Sequence, residues 1–162
     1  MRKIIDFEIH SKYSRACSPQ LNLPNIGAWA NRKGVDVVGT GDFTHPKWLS
    51  EIKRDLKETG NGLLKLKDNP KIPYFILSAE VSSIYSHNGK TRRIHNIILA
   101  PSIEVVEKII SALEKRGAKL GSDGRPIVGI PSKEVLKIVL EASEKCMLIP
   151  AHVWTPYFGL FG

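Results

Sequence analysis

The chain has 162 residues, which is enough for one domain with a sizeable core and too few for several. Its 24 Lys and Arg residues outnumber 16 Asp and Glu residues, and the net charge of +8 suits a polyanionic partner, because phosphates attract basic side chains and release counterions. Two cysteines exclude a disulfide framework, and no segment approaches the roughly 18 apolar residues of a membrane span, so we expect a cytoplasmic protein without membrane association.

Five short apolar runs, rich in β-branched and aromatic residues, predict strands. They span residues 3–9, 35–40, 73–81, 94–100 and 146–151. Nearly continuous apolar character is typical of strands that are buried on both faces of a sheet.

Four segments between these runs have helical periodicity, and three of them end at a glycine. They span residues 24–33, 46–58, 102–116 and 132–145. Ser102 and Ser132 are expected N-caps, and Trp29 and Trp48 are expected to pack in the core. The polar segments 60–71 and 117–129 are expected to be loops. Alternating strands and helices favour a mostly parallel sheet, open or closed into a barrel.

Carboxylates and imidazoles lie at the boundaries of the predicted strands. The candidate side chains are Glu8, His10, Asp42, Glu80, His95 and His152. One such histidine is more often a structural residue, but recurrence at successive strand boundaries favours ligands that the fold gathers around a divalent cation. A carboxylate at the end of a buried strand, such as Glu80, also needs a cation or hydrogen bonds to compensate its desolvation.

The segment from Asp6 to Ser14 resembles the first motif of the PHP (polymerase and histidinol phosphatase) superfamily, written D-x-H-x-H-S-x-x-S, with Glu8 in place of the first histidine. Further strings are similar to the endonuclease Q branch of that superfamily. These are Gly-Thr-Gly-Asp at 39–42, Pro-Lys-Trp at 46–48, Arg-Ile-His at 93–95 and Ala-His-Val-Trp-Thr-Pro-Tyr-Phe-Gly at 151–159.

The resemblance implies an α/β fold, a partial distorted (βα) barrel of the PHP type with about five of seven strands present. Residues 1–162 would form the N-terminal part of a PHP-like phosphoesterase domain, because proteins of this branch are more than twice as long. Their last D-x-H metal motif has no counterpart here. We therefore expect a truncated chain whose barrel a downstream segment or a second polypeptide completes.

The resemblance also implies two or three divalent ions, which could be zinc, manganese or magnesium. All six candidate side chains are expected to be metal ligands, with Glu80 bridging two ions and Asp42 and Glu80 in catalytic roles. His45 is an alternative ligand for the third metal position. Asp6 would orient the histidines or ligate directly, while Ser11 and Ser14 would be hydrogen-bond partners of the loop.

The function implied by the resemblance is metal-dependent phosphodiester hydrolysis, and for the endonuclease Q branch this means incision of DNA beside a deaminated base such as hypoxanthine or uracil. Lys12, Arg15, Arg92 and Arg93 would contact the DNA around the site. A histidinol-phosphatase-like enzyme acting on small molecules, or a non-catalytic remnant that serves as an interaction module, are the alternatives. We expect the 162-residue chain alone to bind DNA weakly and to incise it poorly or not at all.

Overall fold

One mixed sheet with four helices makes up the fold in a computed structural model that describes residues 2–71 and 73–161. The strands are β1 (Ile5–Asp6), β2 (Val37–Gly39), β3 (Leu56–Glu58), β4 (Leu64–Leu66), β5 (Tyr74–His87), β6 (Lys90–Ala100), β7 (Ile127–Val128) and β8 (Met147–Pro150). The helices are α1 (Leu23–Arg32), α2 (Pro46–Asp55), α3 (Ile103–Lys115) and α4 (Ser132–Ala142). The predicted α/β class is confirmed, and the five predicted strands are all present in part.

The sheet is not mostly parallel as the sequence pattern suggested. β1, β2 and β5 run parallel, whereas β6 is antiparallel to β5 and β8 is antiparallel to β6. The β5–β6 hairpin forms because Asn88 and Gly89 both have positive φ, of 51° and 71°, as a two-residue hairpin turn requires. Consequently His95 lies in the middle of a long strand opposite Ser82, and not at the start of a short one.

The helices begin and end within about three residues of the predicted positions. Ser102 caps α3 by accepting a hydrogen bond from the Val105 amide, as expected, but Ser132 is the first residue of α4 and not its N-cap. The predicted second helix is three residues too long, because Leu56–Glu58 pairs with β4 as a strand. There Leu56 is buried while Lys57 and Glu58 are exposed. The two predicted loops likewise contain β4 and β7.

All four helices pack on one face of the sheet. Along β5, Phe75, Leu77, Ala79 and Val81 point into the helix-covered core. Alternate residues point to the opposite face, where a small apolar cluster lies beside the polar side chains. This second face, the inside of a partial barrel, carries Glu80 and His95.

The two tryptophans that were expected to pack in the core differ in their burial. Trp48 is fully buried, and its indole Nε1 donates to the carbonyl oxygens of Thr40 and Gly41 at 3.1 and 2.8 Å. Trp29 is 57% exposed, with the guanidinium of Arg32 5.0 Å from its ring, so that prediction was wrong. The buried face of α1 runs through Leu23, Ile26 and Ala30, and Trp29 lies beside it. Across the described residues, every helix falls short of the length and apolar character that crossing a bilayer requires.

Candidate metal centre

Three side chains from distant parts of the sequence converge on the inner face of the sheet. Glu80 comes from β5, His95 from β6 and His152 from the turn after β8, and one ligand atom of each lies within 4.8 Å of the others. His95 Nδ1 lies 2.7 Å from Glu80 Oε1, and His152 Nε2 lies 3.3 Å from His95 Nδ1. Two imidazoles and a carboxylate are a donor set that zinc, manganese and related divalent ions accept.

The hydrogen bonding of Glu80 supports an ion at this point. Its Oε1 is buried and accepts no hydrogen bond of acceptable geometry in the described part of the chain, although His95 Nδ1 is close. A buried carboxylate oxygen without a partner is costly, and a cation between the three donor atoms would compensate that cost. The residues present therefore fit a divalent metal, and they leave room for ligands from a substrate or from water.

His10 lies beside this cluster and connects it to Asp42. Its Nε2 is 3.1 Å from Glu80 Oε2, and its Nδ1 is 3.0 Å from Asp42 Oδ1. Hydrogen bonding to Asp42, and then to Glu80, raises the pKa of His10 to about 9. In the metal-free protein His10 is therefore protonated at neutral pH and held between two carboxylates.

Asp42 is fully buried, and its carboxylate oxygens already accept several hydrogen bonds. Besides His10, the donors to Asp42 are the amide of Ser11 at 2.6 Å, its hydroxyl at 2.7 Å and the hydroxyl of Ser14 at 2.9 Å. Ser11 and Ser14 thus donate hydrogen bonds from the first loop to Asp42. The chain reaches this position through Gly41, at φ 64°, where a Cβ would lie 2.5 Å from the Ile9 carbonyl oxygen. Only glycine allows the two segments to approach so closely.

Glu80 is ionised in this setting. Burial alone would raise the pKa of its carboxyl group, but the neighbouring imidazoles of His10 and His95 outweigh burial and hold the pKa well below its usual range. The guanidinium of Arg125, 3.4 Å from Glu80 Oε2, acts in the same direction.

Arg125 and the loop that carries it were missed by the sequence analysis. The loop is fixed to its surroundings by hydrogen bonds from the Gly124 amide to the Tyr13 carbonyl and from the Ser82 amide to the Pro126 carbonyl, both at 3.0 Å. The string Ser-Asp-Gly-Arg-Pro indicated a turn, but nothing in it indicated that the turn packs against Asp42. Glycine at position 124 is the one feature of this string that could have indicated close packing. An added Cβ there would clash with the Asp42 carboxylate.

Other candidate ligands lie outside this convergence. Glu8 is exposed and makes no side-chain hydrogen bond or ion pair with any residue that the structure describes. Asp6 is exposed and accepts a hydrogen bond from the Glu8 amide at 3.2 Å. His45 precedes the first residue of α2, is buried, and stacks on Tyr13 with a centroid separation of 4.5 Å.

The basic residues expected to contact DNA lie in two groups. Lys12 forms an ion pair with Glu51 at 2.9 Å, and Arg15 nearby is exposed. Arg92 and Arg93 are exposed on β6, ahead of His95, and neither has a side-chain partner among residues 2–71 and 73–161. The second group therefore offers two unpaired guanidinium groups.

Comparisons with known proteins identify a relative by sequence and neighbours by structure. No protein-family model matches the chain. The uncharacterized protein MJ0043 of Methanocaldococcus jannaschii is 34% identical over 152 residues, which cover 94% of this chain. Two solved structures have a TM-score of 0.81 with 29% identity over 96% of the chain: the lesion-specific endonuclease PfuEndoQ from Pyrococcus furiosus, and endonuclease Q in complex with a duplex substrate that has an abasic lesion at the active site.

The fold is thus similar to that of endonuclease Q. The chain spans 16% of the length of the M. jannaschii protein and 36% of the endonuclease Q chains. The likeness applies to this portion of those proteins.

Proposed function

We propose that this chain carries the metal-binding part of a DNA endonuclease of the endonuclease Q type, which incises DNA beside deaminated bases such as hypoxanthine or uracil. The observation that carries the proposal is the convergence of Glu80, His95 and His152 in a fold similar to that of endonuclease Q. Endonuclease Q, whose fold is similar, has been solved with a DNA duplex, which supports DNA as the partner. The net charge of +8 agrees with a polyanionic partner.

Glu80, His95 and His152 would hold a first divalent ion, and His10 lies close enough to Glu80 to share in the site. Divalent ions bound there would polarise the phosphodiester and lower the pKa of a water molecule for attack on phosphorus. The exposed carboxylate of Glu8, two residues before His10, is a proposed ligand for a further ion.

Asp42 would serve as a positioning residue for His10. Its oxygens already accept hydrogen bonds from Ser11 and Ser14, and it holds His10 Nδ1 so that Nε2 faces Glu80. A carboxylate behind a histidine fixes the orientation of the ring and makes the other ring nitrogen a better ligand. This is a different role from the direct ligation that the sequence motif implied.

Arg125 would bind a non-bridging oxygen of the phosphodiester. Its side chain is 41% exposed, and its contact with Glu80 is long, at 3.4 Å, so it can turn toward a substrate. The fixed loop places a permanent positive charge beside the ligands, where charge develops during phosphoryl transfer. Lys12, Arg15, Arg92 and Arg93 would bind phosphates farther along the DNA.

The experiment that tests this function is incision of duplexes with one hypoxanthine, one uracil or no lesion. We expect slow nicking next to the deaminated base under single-turnover conditions with excess protein and added Mn²⁺, Zn²⁺ or Mg²⁺. Glu80→Gln should abolish the nicking, whereas Glu134→Gln should not, because Glu134 is a half-buried residue of α4 that pairs with Lys137.

Two results would contradict the proposal. Equal nicking of damaged and undamaged duplexes would remove the specificity for deaminated bases. Absence of nicking together with metal-dependent hydrolysis of a small phosphomonoester would favour the small-molecule phosphatase.

Metal affinity should depend on pH because His10 must lose a proton to become a ligand. With its pKa raised to about 9, His10 is protonated below that pH, and protons compete with the metal. We expect affinity for Zn²⁺ or Mn²⁺ to rise about ten-fold per pH unit toward pH 9 and then to level off. Calorimetry in two buffers of different ionisation enthalpy measures the released proton.

His10→Ala is the control for this prediction, since it should remove both the proton release and most of the pH dependence in this range. Proton release that persists unchanged in His10→Ala would show that another group accounts for it.

A further inference from the structure

Three aromatic side chains in the segment after His152 are presented to solvent. We define Trp154, Tyr157 and Phe161 as the aromatic platform; their exposed fractions are 82%, 79% and 64%. The rings of Trp154 and Phe161 lie 5.0 Å apart. Single exposed aromatic residues are common, but a group of them beside an ion-binding residue marks an interaction surface.

The backbone that carries the platform is held in place. The Thr155 hydroxyl bonds to the carbonyl oxygens of His152 and Tyr157 at 3.0 and 2.8 Å, and the Phe161 amide donates to the Val153 carbonyl at 3.0 Å. The segment is also joined to β6, because the His95 amide donates to the Phe158 carbonyl at 3.0 Å. The platform therefore has a defined position next to the candidate metal centre.

Positive charge lies beside Tyr157, one of the three residues of the platform. Arg92 and Arg93 and the segment from Pro156 to Leu160, which contains Tyr157, line a common pocket of about 130 Å³. Both arginines are exposed, and the described residues offer neither of them an ion-pair partner. A purely apolar partner would leave these guanidinium groups unpaired, whereas a nucleotide offers both a π face for the rings and a phosphate for the arginines.

We infer that the aromatic platform stacks against an unpaired nucleobase of DNA while Arg92 and Arg93 bind the adjoining phosphates. The inference rests on the proposed function, since it takes DNA as the partner. It deepens that function by assigning to Trp154, Tyr157 and Phe161 the contact with a base that has left the duplex stack.

The test compares binding of a fully paired duplex with that of the same duplex bearing one bulged thymine. Binding is measured by anisotropy of labelled DNA and by tryptophan quenching in the presence of EDTA, so that incision does not interfere. We expect tighter binding of the bulged duplex by the wild-type chain. Trp154→Ala should lower affinity for the bulged duplex by about ten-fold or more and for the paired duplex by about two-fold at most.

Matched variants separate stacking from structural damage. Trp29→Ala removes an exposed tryptophan on α1 and should leave the affinity for both duplexes unchanged. Trp154→Phe should retain most of the preference for the bulged duplex. Arg92→Ala and Arg93→Ala should each reduce the slope of log affinity against log salt by about one.

Each remaining outcome has a defined meaning. If Trp154→Ala weakens the binding of both duplexes equally, or of neither, the platform does not stack on an unpaired base. If the wild-type chain binds both duplexes equally, the stacking role of the platform is overturned, while DNA remains the proposed partner. If the wild-type chain binds neither duplex, the proposed function and this inference both fail.

Discussion

Glu80→Gln is expected to lower the affinity of the chain for Zn²⁺ or Mn²⁺ by more than about 100-fold. The substitution keeps the size of the side chain but removes the one charged donor between His95 and His152, whose nitrogens lie 2.7 and 3.9 Å from its Oε1. His95→Ala and His152→Ala should have similar effects, because each removes a third of the donor set. Calorimetry and elemental analysis after dialysis measure these changes.

Two glutamates provide controls for this prediction. Glu134→Gln on α4, where the carboxylate pairs with Lys137, should leave the affinity unchanged. Glu8→Gln should leave the first ion in place and lower only the total number of ions bound, if Glu8 holds a further one. Unchanged metal content in the combined variant Glu80→Gln with His95→Ala would show that the site has been misassigned.

Gly124→Ala is expected to destabilise the chain and to disturb the candidate metal centre together. A Cβ at this position would lie 2.6 Å from Asp42 Cγ and still closer to the Ser14 hydroxyl, so either the loop or Asp42 must move. Overpacking of this kind costs roughly 2 kcal/mol, or about 6 °C in melting temperature for a chain of this size. Movement of Asp42 would also release His10, so metal affinity should fall.

Gly121→Ala is the matched control in the same loop. Its Cβ would lie 3.6 Å from Pro46 Cγ, an ordinary van der Waals contact, so stability and metal affinity should both stay close to wild type. Equal melting temperatures for Gly124→Ala and wild type would show that the loop can shift without cost. Arg125 would then have no fixed position beside Glu80.

The sequence predicted local structure well where periodicity and capping act over short distances. α1, α3 and α4 lie within about three residues of their predicted limits, because their apolar stripes and terminal residues are local signals. Errors occurred where pairing with another strand, and not local periodicity, set the conformation of the backbone. Leu56–Glu58 continues the helical sequence pattern but pairs with β4 as a strand. β6 was predicted four residues too short, because residues 90–93, next to the hairpin turn, are polar.

For the candidate site, the sequence named six candidate ligands, and three of them form the cluster in the structure. Glu80, His95 and His152 were all predicted as ligands from their places at strand boundaries, and the structure brings them together. The direct ligand roles of Glu8 and Asp42 remain untested, and for Asp42 we now propose a positioning role. Arg125 was missed altogether, because a turn sequence does not indicate what the turn packs against.

By itself, the sequence determined the approximate helices and strands and the inventory of carboxylates and imidazoles. Tertiary structure alone decided which of these meet. His95 faces Glu80 because β6 folds back antiparallel to β5, which sets His95 opposite Ser82 and diagonally across from Glu80 on the same face. Strand direction and register arise from pairings between distant segments, and one residue of slip would turn either side chain to the other face. Local patterns carry no information about such pairings, so the geometry of the site could not be read from them.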